Sequence, residues 1–261
     1  MAKEKLLIVK IGTNVLDDPE TLRKLIKDLV AIKCRKILVH SGGIMASKVA
    51  GSMGVKMGKS KKPVTVDDKM LDIVTMVYGG LVNKRLVALM QKHRINAVGL
   101  TGADMNIITS ELAAESTNSK SINWVGRIKK VNGKALASII EKGVMPVLAP
   151  LTHDAKGHLL STEANSIACE VAKSLATTYD VTLVFCFEDR GLLANKKDSN
   201  SVIPVLKPDQ YQMMKGMKCF TEEKILVIDE AFSVLDYGAT EVIITNAASL
   251  SNLANGTHIK Q

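Results

Sequence analysis

Aromatic side chains are nearly absent, at 3% of 261 residues. The core must then be built from aliphatic residues and methionine. The flat platforms on which single-stranded nucleic acid stacks are also missing. The net charge of +9 still favours anionic partners, and nucleotides or carboxylates fit that balance better than nucleic acid does. The lysine clusters (Lys59, Lys61, Lys62; Lys129, Lys130; Lys196, Lys197) are short and read as solvated surface. Cys34, Cys169, Cys186 and Cys219 lie far apart with no CxxC pair, a spacing that fits neither a zinc site nor a disulfide framework. The histidines are scattered without an HExxH pattern, so no metal-ligating residues are expected. The N-terminus MAKEKLLIVK has no h-region of the length a signal peptide needs. No apolar run approaches the roughly 20 residues of a membrane helix. The expectation is a cytoplasmic protein with no membrane partner. Pro/Ser-rich linkers and internal repeats are lacking too.

What is present is an alternation of strand and helix signals. It predicts a three-layer α/β/α sandwich with a mostly parallel sheet. The stretch Lys5 to Gly43 sets the pattern: an apolar run ending at Lys10 and Gly12, a polar helix, then Ile37–Val39 followed by His40-Ser41-Gly42-Gly43. Both loops follow the C-terminal ends of strands, where open α/β sheets place ligands. Lys10 supplies a charge there, and Gly42 and Gly43 let backbone N–H groups approach an anion. The sequence 54–66 reads as a polar hairpin or lid, and 111–123 as an irregular insert. Residues 67–93 read as one long helix interrupted by Gly79-Gly80. Residues 144–151 read as one buried strand, and 159–179 as a helix capped near Ser161 or Thr162. Val181–Phe187 is the strongest strand, and Glu188-Asp189-Arg190-Gly191 turns out of it. Alternation alone puts any lobe boundary near 150–180.

The ordered landmarks VKIG (9–12), VHSGG (39–43), VTMVYGGLVNK (74–84), AVGLTGAD (97–104), VGRIKKVN (125–132), GVMPVLAPLTHD (143–154) and GTHI (256–259) span almost the whole chain. They resemble the amino-acid kinase family with its carbamate kinase-like fold. The likeness is greatest to the N-acetylglutamate kinase branch, in the form whose relatives accept N-succinylglutamate. The opening IGTNVL is more similar to glutamate 5-kinase. The resemblance implies a phosphotransferase of arginine and ornithine biosynthesis. It would move the γ-phosphoryl group of ATP, with Mg²⁺, onto the side-chain carboxylate of an N-acylated glutamate. Such catalysis is mostly positioning and charge neutralisation. The resemblance further implies an N-terminal lobe of about 1–170 for the acylated amino acid and a C-terminal lobe of about 171–261 for the nucleotide. A homodimer is implied through the 67–93 helix.

Carried over position by position, the resemblance makes Lys10 and Asn165 the catalytic positions. Lys10, Gly12, Gly42, Gly43, Asp189 and Gly191 become the nucleotide contacts, and Ser41, Gly42, Lys62, Ser161 and Glu163 the substrate contacts. Several of these depart from the family pattern. Ser41 stands for a glycine. The substrate arginine falls at or next to Pro63, leaving Lys61 or Lys62 as a point charge without a fork. The usual Asn-x-Asn-Ala-Asp stretch is Ser161-Thr162-Glu163-Ala164-Asn165, and a carboxylate at Glu163 repels an anion. The second phosphate-neutralising lysine falls at Val227, with Lys224 one turn away. Two readings follow: an acylglutamate-kinase-like enzyme, or a non-catalytic nucleotide-binding or regulatory partner on the same fold.

Overall fold

The structure, a computed structural model, describes residues 2–55, 65–113, 122–195 and 197–261. The chain forms two compact units: Met1–Leu38 with Ala168–Gln261, and Val39–Ile167. The first unit opens with β1 (Lys5–Ile11), α1 (Thr13–Asp17), α2 (Pro19–Ala31) and β2 (Arg35–His40), which leads the chain into the second. There follow α3 (Gly43–Ser52), α4 (Asp68–Val74), a π-helical segment Thr75–Val82, α5 (Asn83–Lys92), β3 (Ala97–Leu100), β4 (Ile108–Leu112) and β5 (Gly126–Val131). Next come α6 (Gly133–Glu141), β6 (Met145–Leu148), β7 (Leu151–His153), β8 (Leu159–Ser161) and α7 (Ala164–Leu175), which leads back. The first unit is completed by β9 (Asp180–Phe187), β10 (Val205–Leu206), α8 (Pro208–Gly216), α9 (Glu222–Asp236), β11 (Glu241–Asn246) and β12 (Thr257–Ile259).

In the first unit the neighbours run β10-β12-β11-β9-β1. β1 and β11 both pair with β9 in parallel, with Lys10 opposite Phe185 and Asn246 opposite Phe187, and β12 is antiparallel to β11. β9 is apolar apart from Asp180 and Thr182, as expected of a strand covered on both faces; Val181, Leu183, Val184, Phe185 and Cys186 are all buried. α2 begins with a proline at its first turn and an Asp18 cap accepting from the Glu20 N–H, so its start is fixed locally. In the second unit β3 pairs with β6 in parallel, and a separate small sheet runs β5-β4-β7-β8. The mostly parallel α/β expectation agrees with these pairings. The expected boundary near 170 lies beside the division at Ile167/Ala168. The second division, at Leu38/Val39, was not anticipated; β1 belongs with β9 because the two are paired along their length.

Four sequence expectations change. The strand expected over 144–151 is broken after Leu148. Pro150 has no N–H to offer a ladder, and β7 joins the small sheet instead. The helix expected from 159 starts at Ala164. Leu159–Ser161 is a strand antiparallel to β7, and the Thr162 hydroxyl, expected as a cap, lies 2.7 Å from that of Thr152. Trp124–Ile128, which also reads as a strand in the sequence, becomes one only from Gly126, where a Cβ would meet the Thr162 Oγ1 at 2.7 Å and the Leu160 Cβ at 2.9 Å. The 67–93 helix is continuous but not uniformly α. Around Gly79-Gly80 it widens to π geometry, and the Asn83 N–H reaches the Tyr78 carbonyl. Asp68–Lys92 is also long and apolar enough to cross a membrane by length and composition, a test that soluble core helices pass too. Met70, Ile73, Val74, Val77, Leu86 and Met90 of this run are buried in the protein. Most of the two inserts expected at 54–66 and 111–123 lies outside the described residues.

Candidate active site

Each unit carries part of the expected site. In the first, Lys10 is the penultimate residue of β1 and only 5% exposed. Its Nζ lies 5.1 Å from the centre of the Phe187 ring. The register explains the meeting: Lys10 faces Phe185 across the ladder, and Phe187 is on the same face one step further on. Gly12, extended and preceding α1, would bring a Cβ only into ordinary contact with the Cys186 carbonyl at 3.7 Å. No steric demand of the first unit requires glycine there. Gly191 is different. A Cβ would sit 2.6 Å from the Thr257 hydroxyl and 2.7 Å from Val202, so the protein's own packing on β12 requires this glycine.

Asp189, just past β9, accepts from the Lys224 ammonium at 3.2 Å. Lys224 lies in the first turn of α9, where Thr221 caps the helix by accepting from the Lys224 N–H. Val227 turns into the core at 3% exposure, while Leu226 faces outward at 66%. The helix therefore directs position 227 inward and Lys224 towards Asp189.

In the second unit β2 ends at His40, which is fully buried. Its Nδ1 lies 2.8 Å from the Ser41 carbonyl, and its Nε2 lies 3.1 Å from the Asn83 Nδ2. Since the carbonyl only accepts and the amide nitrogen only donates, the imidazole carries its proton on Nδ1. Asn83 also donates to the Val147 carbonyl at 2.9 Å and accepts from Lys84. This network pins the start of the Ser41–Gly43 loop. Gly42 precedes α3 with extended φ, so its backbone suits any residue. The constraint is steric: a Cβ would lie 2.6 and 2.9 Å from two ring carbons of Tyr78. Gly43 opens α3, and its carbonyl accepts from the Ser47 hydroxyl.

Burial pushes the His40 imidazole down to about 4 and keeps it neutral. An unfolded histidine titrates near 6.5, so between 6.5 and 4 the unfolded chain binds the extra proton. Stability is then complete above 6.5 and falls as pH drops through the window, by about 3 kcal/mol in all. Urea unfolding at pH 7 and 4.5 should show this loss, and His40→Gln should flatten it. Gly99→Ala should act on the same network, because its Cβ would fall 1.7 Å from the Asn83 Oδ1. A loss of about 1–3 kcal/mol is expected in the same assay.

Ser161 ends β8, its N–H donating to the Trp124 carbonyl. Glu163 is exposed, and its Oε1 accepts from the buried Asn165 side chain at 3.4 Å. The Asn165 Oδ1 is buried with no hydrogen-bond partner among the described residues. Asp104 accepts from the N–H and hydroxyl of Thr101, so it closes the 101–104 turn. Lys62, with Lys61 and Pro63, lies outside the described residues. Among the described residues no group of three or more His, Cys, Asp or Glu could hold a metal ion.

The sequence profile of the amino acid kinase family matches residues 5–246. An acetylglutamate kinase from Phocaeicola vulgatus is 42% identical over 259 residues, covering 99% of this chain and 100% of that one. The chain belongs to the amino acid kinase family. Solved structures share the fold. An N-acetylglutamate synthase from Neisseria gonorrhoeae, complexed with coenzyme A and N-acetyl-glutamate, superposes with TM-score 0.80 at 20% identity, over 100% of this chain and 60% of that one. Carbamate kinase from Giardia lamblia bound to AMP-PNP gives TM-score 0.70 at 13% identity, with both chains fully covered. As an amino acid kinase family member the chain is of a phosphotransferase lineage. Tyr78 and Asn83 were not singled out as site residues in its sequence. The only sign was a polar Asn83 at a position the helical pattern buries.

Proposed function

We propose that the protein transfers the γ-phosphoryl group of ATP to the side-chain carboxylate of an N-acylated glutamate, N-acetyl- or N-succinylglutamate. The end-to-end match to acetylglutamate kinases carries this reading. In it the first unit takes the nucleotide. Lys10 neutralises phosphate charge, Gly12 leaves room for the phosphate oxygens, and Asp189 orients Lys224. Mg²⁺, arriving on the ATP phosphates, would supply further charge neutralisation. The second unit takes the acceptor on the Ser41–Gly43 loop and the 161–165 segment, with the His40–Asn83 network holding that loop in place. The setting is a cytoplasmic homodimer, testable by sedimentation.

The deciding experiment incubates the protein with Mg·ATP and either acylglutamate, trapping acyl phosphate with hydroxylamine. Absence of hydroxamate above background with both acids would sink the reading. A second reading, a nucleotide-binding partner protein without catalysis, is favoured by the burial of Val227 and by Asn165 where an aspartate is usual. Calorimetric ATP binding without hydroxamate formation would select it.

A further inference from the structure

The chain has four tyrosines, four phenylalanines and one tryptophan. Three of these rings meet in the first unit, where α8 packs on α9. Tyr211 of α8 is 1% exposed, and its ring centre lies 6.3 Å from that of Phe220 and 5.5 Å from that of Phe232. Phe220 immediately precedes the Thr221 cap of α9, and Phe232 lies well along the helix. The Tyr211 hydroxyl is 2.7 Å from the Asp229 Oδ1 and 3.3 Å from the Ile225 carbonyl. Its one hydrogen goes chiefly to the nearer carboxylate. The Lys215 ammonium meets the same carboxylate at 3.0 Å and stands 5.2 Å over the Tyr211 ring. Burial, then the bond to Asp229, pushes the phenol up to about 12, so it stays a donor.

This anchor lies where α9 has little else to hold it. No residue from Thr221 to Leu226 is buried, and core packing begins at Val227 and Ile228. Lys224 lies three and four positions before those two, so its stem continues their face of the helix. Helical side chains also lean towards the N-terminus. The ammonium therefore reaches past the core-facing stripe to Asp189, at 3.2 Å, just beyond β9. A small tilt of the opening turns of α9 would carry it off that carboxylate. We infer that Tyr211 is a positioning residue for Lys224: its hydroxyl, held on Asp229 beside the Ile225 carbonyl, fixes the opening turns of α9 and so aims the ammonium at the end of β9. The inference rests on the nucleotide reading proposed above and adds what aims the second cation of that unit.

The test measures Mg·ATP binding to the intact protein by calorimetry, in a cycle of Tyr211→Phe and Lys224→Met. Phenylalanine keeps the ring between Phe220 and Phe232 and removes only the hydroxyl. Tyr211→Phe should weaken ATP by about tenfold in the wild-type background and by less than about twofold in Lys224→Met. A purely structural tyrosine would weaken ATP alike in both backgrounds, and that result overturns the inference. Unchanged affinity in Tyr211→Phe overturns it as well. Should Tyr211→Phe not fold, Asp229→Asn, at a carboxylate 46% exposed, takes its place in the cycle and is judged by the same outcomes. No ATP binding by the wild type at millimolar concentration overturns the inference together with the nucleotide reading. The hydroxamate assay is read separately. Coupled losses without hydroxamate leave this inference standing and sink the phosphotransferase reading. Hydroxamate formation with uncoupled losses does the reverse.

Discussion

Lys10→Met is expected to lower acyl phosphate formation by about 10²–10³-fold, the usual effect of removing one preorganised transition-state donor. Methionine keeps most of the buried stem and its contact with Phe187, so the change removes the charge and leaves the packing. The thermal midpoint should move little. Hydroxamate yield under saturating Mg·ATP is the readout, and an unchanged rate would remove Lys10 from the chemistry. Because Lys10 is an ammonium held at the end of a buried strand, Lys10→Arg is no safe substitute. The planar guanidinium is larger and makes different contacts.

Gly42→Ala carries the second large effect. The added Cβ overlaps two ring carbons of Tyr78. Either the ring or the loop must shift, at about 1–3 kcal/mol. A displacement of about 1 Å in a positioning loop costs about 10² in rate. Tyr78→Leu offers the alanine space, so the double variant should recover stability relative to Gly42→Ala alone. That coupling is read from a double-mutant cycle in urea unfolding. Additive losses would show that Tyr78 does not constrain the loop.

Much of the fold was legible because its strands are of the most readable kind. β9 is covered on both faces, so its six apolar residues needed no partner to be recognised. The loops after β1 and β2 were legible as strand ends, since each apolar run stops at a polar residue followed by glycine. What escaped shares one cause. Thr162 looked like a helix cap in isolation, yet its hydroxyl is taken by Thr152 from a neighbouring strand. Val144 to Leu151 looked like one strand, although Pro150 marked the break between two sheets. Gly191 is expected as a nucleotide contact, and that Thr257, sixty-six positions on, also demands a glycine there shows only in the packed structure. Tyr78 and Asn83 serve a loop some forty residues earlier, and only the packed structure brings them to it. Glu163 was visible as a misplaced charge, but that it accepts from the Asn165 side chain two residues on needs the folded helix start.

The π-helical segment has a further consequence. On an α-helix, side chains five apart diverge by roughly 140° around the axis. Where the hydrogen bond closes over five residues, as from Asn83 back to Tyr78, they return to one side. One helix thus presents Tyr78 to Gly42 and Asn83 to His40, two neighbouring points of a single loop. The extra residue in that turn works as a phase shift. A helix shortened by one residue between the two would be more regular and would aim one of them away. The count of residues from Thr75 to Val82 is therefore as much a part of the site as their identities.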